Sequence, residues 1–180
     1  ERTSNLDKKF DKAYKRLKSR GPDDKGIWVD NNIYLLHTRL KILDLSKDSS
    51  QPMHKDNYVI CFNGEIYNFK KLKLELTKKG HSFVSNGDTE ILISAWKEWG
   101  VSMLKKLDRM FSFVIWDTKN KNLFLARDRF GIKPLYYSVT KNGKGILYSS
   151  EIKTLLNTKL IDKDYNLDAL SSYLSFRYPY

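Results

Sequence analysis

The sequence predicts an α+β fold built on antiparallel sheets. Three observations carry that expectation: apolar runs of strand type come in pairs joined by short polar turns, amphipathic helical segments group between those pairs, and no parallel doubly wound alternation is evident. Taken in order, residues 5 to 18 space Leu6, Phe10, Ala13, Tyr14 and Leu17 at helical intervals, and Gly21-Pro22 stops the run. Ile27-Trp28-Val29 and Ile33-Tyr34-Leu35-Leu36 flank Asp30-Asn31-Asn32, residues that tolerate positive φ and close hairpins. A short strand from Tyr58 to Phe62 feeds a helix from Asn68 to Lys79, which carries Phe69, Leu72 and Leu76 on one face before Gly80. Asp88 precedes a second amphipathic helix with Ile91, Leu92, Ala95, Trp96 and Trp99 inward and Gly100 at its end, and a short helix through Leu104 and Leu107 follows. Two more hairpins pair Phe111 to Trp116 with Leu123 to Ala126, and Leu135 to Val139 with Gly145 to Tyr148. Leu167 to Leu174 reads as a final helix.

Composition narrows the function classes. With 180 residues and 41% hydrophobic content, a single globular domain is the default. No apolar run approaches the ~20 residues of a membrane-spanning helix, so no membrane partner is expected. The single cysteine, Cys61, allows no internal disulfide, and nothing at the start resembles a signal peptide; a cytoplasmic protein is expected. The net charge of +12 raises nucleic-acid binding. The lysines are spread over most segments, as in Lys70, Lys71, Lys78 and Lys79, and none of the usual nucleic-acid-binding patterns appears, so no nucleic-acid partner is expected. No His or Cys cluster has metal-ligand spacing, so no metal site is expected.

The most informative stretch is Phe62-Asn63-Gly64-Glu65-Ile66-Tyr67-Asn68, directly after an apolar strand. It puts an amide, an N–H with no side chain in the way and a carboxylate at one strand end. The Asn63 side chain and the Gly64 N–H could hold an oxyanion while Glu65 receives an ammonium group. A plain Asn-Gly turn is the competing reading, and on this segment alone it stands ahead.

The stretch has companions. Arg20-Gly21-Pro22-Asp23-Asp24, then His37-Thr38-Arg39-Leu40-Lys41-Ile42-Leu43-Asp44, then Asn63 to Asn68, then Gly87-Asp88-Thr89-Glu90 together resemble the class II glutamine amidotransferases in order and spacing. Ala126-Arg127-Asp128-Arg129-Phe130-Gly131-Ile132-Lys133-Pro134-Leu135-Tyr136-Tyr137 and Ser149-Ser150-Glu151-Ile152-Lys153 are similar to the asparagine synthetase branch. The resemblance implies an N-terminal-nucleophile hydrolase-like fold, a four-layer sandwich of two antiparallel sheets between helices. It implies L-glutamine as ligand, with Arg39 on the α-carboxylate, a task suited to a guanidinium making two parallel bonds. It places Asp88 on the α-ammonium, Glu65 in the same pocket, Leu40 and Ile42 lining it through their backbone, and Asn63 and Gly64 as the oxyanion hole. Arg39 as a surface ion pair, Asp88 as a helix N-cap, and Leu40 and Ile42 as core are the structural alternatives. His37 and His54 receive no catalytic role.

The same resemblance sets expectations about what accompanies this chain. The family nucleophile is a cysteine at the mature N-terminus, on a Cys-Gly-Ile-type strand before the first helix, activated by its own α-amine. Residue 1 here is Glu, so this 180-residue chain alone is expected to hydrolyse glutamine negligibly. Cys61 is a poor substitute, because an internal cysteine has no free α-amine and this one points toward the core. The family's usual His before Arg-Gly-Pro-Asp is Ser19. Residues 1–165 are expected to form the glutaminase domain and 166–180 to begin a synthetase domain. That domain would act in cis with ATP and Mg²⁺, cofactors for which the present residues hold no site. The parent reaction implied is aspartate, ATP and glutamine to asparagine, AMP, pyrophosphate and glutamate. A homodimer is left open. Amidotransfer to another acceptor and a glutamine- or partner-binding pseudoenzyme are the competing functions.

Overall fold

The structure, a computed structural model, describes residues 2–41 and 46–177, with side chains within 10–41 and 46–177. In chain order it contains α1 (Arg2–Leu17), β1 (Asp24–Val29), β2 (Tyr34–Arg39), β3 (Met53–Lys55), β4 (Tyr58–Ile66), α2 (Phe69–Lys78), α3 (Thr89–Trp99), β5 (Arg109–Asp117), β6 (Asn122–Arg127), β7 (Tyr136–Val139), β8 (Ile146–Ser149), α4 (Ile152–Asn157) and α5 (Leu167–Phe176). Among the described residues no helix is long and apolar enough to cross a membrane.

The strands form an antiparallel four-stranded sheet in the order β3-β4-β5-β6 and two antiparallel hairpins, β1-β2 and β7-β8. Apolar residues fill both faces of β4 up to Phe62 and of β5 from Phe113 to Trp116 because the central sheet is buried on both faces. Alternate residues Ile60 and Phe62, with Phe111, Phe113 and Ile115, join Leu72 and Leu76 of α2 and Ile91, Leu92 and Ala95 of α3 in the main core. The opposite face sends Val59, Cys61 and Trp116 into a second core with Leu35 of β2 and the partly buried Trp28 and Tyr148. Each fully buried large side chain contributes about 1.5–3 kcal/mol of transfer free energy, so this two-sided burial dominates the fold. The hairpins thus form a second β layer over the central sheet, and α1 and α4 pack together outside it. Phe10 of α1 stacks on Tyr34 at 4.1 Å between ring centroids.

Local chemistry fixes the register of the first hairpin. The Asp30 carboxylate accepts the N–H groups of Asn32 at 2.6 Å and Ile33 at 3.0 Å, closing the turn. That sets Val29 opposite Tyr34 and Asp24 opposite Arg39. The expected hairpins and the longer expected helices appear; the short helix expected through Leu104 and Leu107 is instead a 3-10 turn over Gly100–Lys105 that ends before Leu107. Two short elements, β3 and α4, go beyond the sequence reading, and β4 runs four residues past Phe62. Asn63-Gly64 is therefore strand and not turn: Asn63 pairs with Ser112 and Gly64 with Phe111, within a nine-residue ladder to β5.

Among the described residues the two hairpins share no ladder, so β2 and β8 each keep one edge unpaired there. Between those edges lies a largely apolar cavity of about 1050 Å³. Its other walls are Cys61, Val114 and Trp116 of the central sheet, Phe10, Ala13 and Leu17 of α1, and Leu155 of α4.

Candidate active site

A second cavity, of about 290 Å³, opens where the end of β2, the later half of β4 and the start of α3 converge. It is lined by Arg39, Leu40, Asn63, Gly64, Glu65 and Asp88, six of the seven residues singled out in the sequence. The seventh, Ile42, lies outside the described residues. Arg20, His37, Thr38, Ser49, Gln51, Phe62, Gly87, Thr89 and Lys133 complete the lining.

Arg39 is buried at 8% exposure, so the surface ion-pair alternative does not apply. Its Nη1 donates to the Ser46 carbonyl at 2.9 Å. The Arg20-Gly21-Pro22-Asp23 motif anchors the strand end that carries it. A Cβ on Gly21 would stand 2.3 Å from the Thr38 carbonyl carbon, so only glycine allows this approach. The Asp23 N–H donates to the Arg39 carbonyl at 3.0 Å, and its carboxylate accepts the Lys41 N–H at 2.9 Å. Ser19, at the divergent position, donates its hydroxyl to the Arg16 carbonyl at 3.4 Å.

Asn63 and Gly64 sit side by side on β4. Gly64 has φ of +155°, and a Cβ there would lie 2.2 Å from the Met110 carbonyl oxygen. The position therefore demands glycine, which also leaves the cavity wall bare at this point. Asp88 occupies the N-cap position of α3 but makes no side-chain capping bond; its carboxylate accepts the Ile66 N–H at 3.0 Å. The capping alternative thus gives way to a bond between α3 and β4. Burial pushes the Asp88 carboxyl above its ordinary range against that hydrogen bond, and the Glu65 charge adds to the rise. Among the described residues neither acid has a salt-bridge partner. Glu65 and Asp88 thus place two mutually repelling carboxyl groups in the lining of one cavity.

Lys133 reaches the cavity through a self-closed loop. The buried Asp128 carboxylate accepts N–H bonds from Phe111, Phe130, Ile132 and Lys133 at 2.9 to 3.3 Å. Burial raises that carboxyl, and the four donors outweigh it, holding it below the ordinary range. Arg127 donates to the carbonyls of Lys133 at 2.7 Å and Gly131 at 2.6 Å. Glu151 of the second late motif pairs with Arg16 and Arg20, tying the start of α4 to the end of α1.

The histidines divide. His54 is exposed and stacks on Trp28 at 6.5 Å. His37 lines both cavities, and its Nε2 donates to the Phe62 carbonyl at 3.2 Å. Burial pushes its pKa down to about 4, so it is neutral at pH 7, and its buried Nδ1 has no partner. Cys61 is buried in the second core, where desolvation pushes its thiol up to about 12. Such a thiol stays protonated and inert at neutral pH.

Comparison with known proteins agrees with this geometry. A model of the glutamine amidotransferase domain matches residues 1–180. Asparagine synthetase [glutamine-hydrolyzing] 3 of Bacillus subtilis is 40% identical over 151 residues, 82% of this chain and 24% of that protein. A putative asparagine synthetase [glutamine-hydrolyzing] 2 of Methanocaldococcus jannaschii is 36% identical, over 94% of this chain and 36% of its own length. Amidase chry2 of Gibberella zeae is 42% identical over 141 residues, 76% of this chain and 21% of that protein. This chain therefore spans about a fifth to a third of these relatives. Among solved structures, a glutamine phosphoribosylpyrophosphate amidotransferase from B. subtilis superposes with a TM-score of 0.66 at 19% identity, over 83% of this chain and 40% of that one. That likeness shows the fold, an α+β sandwich of antiparallel sheets and helices.

Proposed function

We propose, from the premise that this chain belongs to the glutamine amidotransferase domain family, that its smaller cavity binds L-glutamine for hydrolysis of the side-chain amide. One observation carries the reading: a buried guanidinium, Arg39, and two carboxylates with no salt-bridge partner among the described residues, Glu65 and Asp88, line the same cavity of about 290 Å³. That charge pattern is complementary to the carboxylate and ammonium of an amino acid's zwitterion. Arg39 takes the α-carboxylate through two charge-assisted bonds, and Asp88 with Glu65 takes the α-ammonium, which relieves the repulsion between them.

The amide end then meets Asn63 and Gly64. A cysteine thiolate attacks the amide carbon, the carbonyl electrons move to oxygen, and the oxyanion is held by the Asn63 NH₂ and the Gly64 N–H. The cysteine's own α-amine, which took the thiol proton, returns it to the leaving nitrogen as collapse breaks the C–N bond and releases ammonia, and water then cleaves the thioester to give glutamate and restore the thiol. We assign the thiol to an extended strand beyond the present residues, seated in the large cavity between β2 and β8. Two features support the assignment: both flanking strands offer edges unpaired among the described residues, and both cavities share the wall of His37, Thr38, Phe62 and Asn63. A strand in the larger cavity ends beside the oxyanion donors. Cys61 is set aside by its burial and its raised pKa.

For the parent protein we propose asparagine formation from aspartate, with the ATP- and Mg²⁺-dependent step in a synthetase region acting in cis and the whole placed in the cytoplasm. The names of the bacterial and archaeal relatives support this acceptor, and the fungal amidase marks the alternative that the domain serves another one. The exposed apolar residues of α5, Leu167, Leu174 and Phe176, each above 70% exposure, support a division in which residues from 166 onward belong to that region. A glutamate-release assay tests the scheme. The 180-residue chain shows negligible turnover, and a chain extended by a strand with N-terminal cysteine shows turnover of at least about 1 s⁻¹. Ordinary turnover by the unextended chain would contradict it.

A further inference from the structure

The structure assigns Gln51 a task that no recognised motif covers: we infer that it is a positioning residue joining the oxyanion wall of the pocket to its ammonium wall. This rests on the glutamine-pocket reading above. Gln51 is buried, and its side chain bridges two elements. Its Oε1 accepts the Phe62 N–H at 2.6 Å, and its Nε2 donates to the Thr89 hydroxyl at 3.3 Å. Phe62 is the residue before Asn63, and Thr89 is the residue after Asp88. One side chain thus ties the β4 segment that carries Asn63 and Gly64 to the α3 start that carries Asp88.

Register explains why a side chain does this. β3 pairs with β4 as Met53 with Ile60 and His54 with Val59, which continued would set Gln51 opposite Phe62. The ladder stops at Met53, leaving the Phe62 peptide groups without a strand on that side. Gln51 takes the N–H, and His37 takes the carbonyl at 3.2 Å. The Gln51 backbone is itself fixed from β1: the Ser50 hydroxyl donates to Asp24 at 2.9 Å, and a Cβ on Gly26 would fall 1.8 Å from the Gln51 carbonyl oxygen. A clamp anchored at three points cannot follow β4 if it shifts, so it holds the spacing across the pocket.

The test uses the 180-residue chain, with amide hydrogen exchange at Phe62 and L-glutamine titration by calorimetry. Gln51→Leu removes both bonds; Gln51→Glu keeps an acceptor for Phe62 and can accept from the Thr89 hydroxyl. Thr89→Val cuts the α3 side alone and serves if Gln51→Leu does not fold. Gln51→Leu is expected to speed exchange at Phe62 and weaken L-glutamine roughly tenfold, with Thr89→Val weakening it less and Gln51→Glu within about threefold of the parent. Faster exchange with unchanged affinity in Gln51→Leu overturns the positioning role while leaving the pocket intact. Absence of L-glutamine binding by the unsubstituted chain overturns the pocket reading and this inference with it, and is seen before any substitution is made.

Discussion

At the residue scale, Asp88 is where stability and recognition oppose one another. Its pKa in the fold lies above the unfolded value, so the ionised form is the less favourable one in the folded chain. Folding stability therefore falls as pH rises through that interval and stays lowered at neutrality. Asp88→Asn removes the charge and keeps an oxygen for the Ile66 N–H. Scanning calorimetry at pH 7 should show Tm raised by about 2–4 °C, the shift expected for about 1 kcal/mol in a domain of this size. The same variant should bind L-glutamine at least about tenfold more weakly, since an amide cannot pair with the α-ammonium. A lower Tm would show that the carboxylate stabilises the empty pocket. His37 gives the opposite pH trend. Its pKa is depressed from 6.5 to about 4 by burial, so below pH 6.5 the unfolded chain takes up a proton that the fold refuses. Stability present above pH 6.5 is lost as pH falls toward 4, by about 1.4 kcal/mol per unit. Urea titrations at pH 7, 6, 5 and 4.5 should show that slope, and His37→Gln should flatten it.

At the scale of elements, the site depends on β4 staying extended through Asn63-Gly64. Adding a methyl at Gly64 meets the Met110 carbonyl at 2.2 Å and a φ that L-residues rarely adopt. Gly64→Ala should cost about 2–4 kcal/mol by urea unfolding, the range of strain and overpacking at one buried position. A loss under 0.5 kcal/mol would mean that β4 does not hold this register with β5. The same strand shows what local sequence cannot disclose. Asn-Gly is the strongest short hairpin signal, yet here the nine-residue pairing with β5 overrides it. Strand β3 has three residues and α4 has six, too short for a period of 2 or 3.6 to register. The longer helices and the hairpins were legible because each buries one continuous stripe or alternates around a polar turn. Asp88 shows the limit of capping chemistry: its place before α3 was readable, but its bond to Ile66 crosses 22 positions.

At the scale of the molecule, six pocket residues spread from Arg39 to Asp88 meet in one cavity because the end of β2, the later half of β4 and the start of α3 converge there. Their types and order could be read from motifs, since charge and hydrogen-bonding demands are written in residue identity. Gln51 escaped, and Thr89 and Lys133 stood in quoted motifs without a role, because their places depend on long-range packing: Gln51 stands in a Gln-Pro pair without periodic pattern, and Lys133 is delivered by the Asp128 loop. The large cavity between β2 and β8 was likewise invisible, being a relation between two hairpins about 110 residues apart. The account as a whole stands on the smaller cavity recognising the backbone charges of one amino acid. The measurement that tests it most directly is calorimetric titration of the 180-residue chain with L-glutamine, set beside D-glutamine and the Arg39→Lys variant. Saturable one-to-one binding of the L form, at least tenfold weaker for the D form and for Arg39→Lys, is the expected result. Absence of binding, or equal affinity across the three titrations, would contradict it.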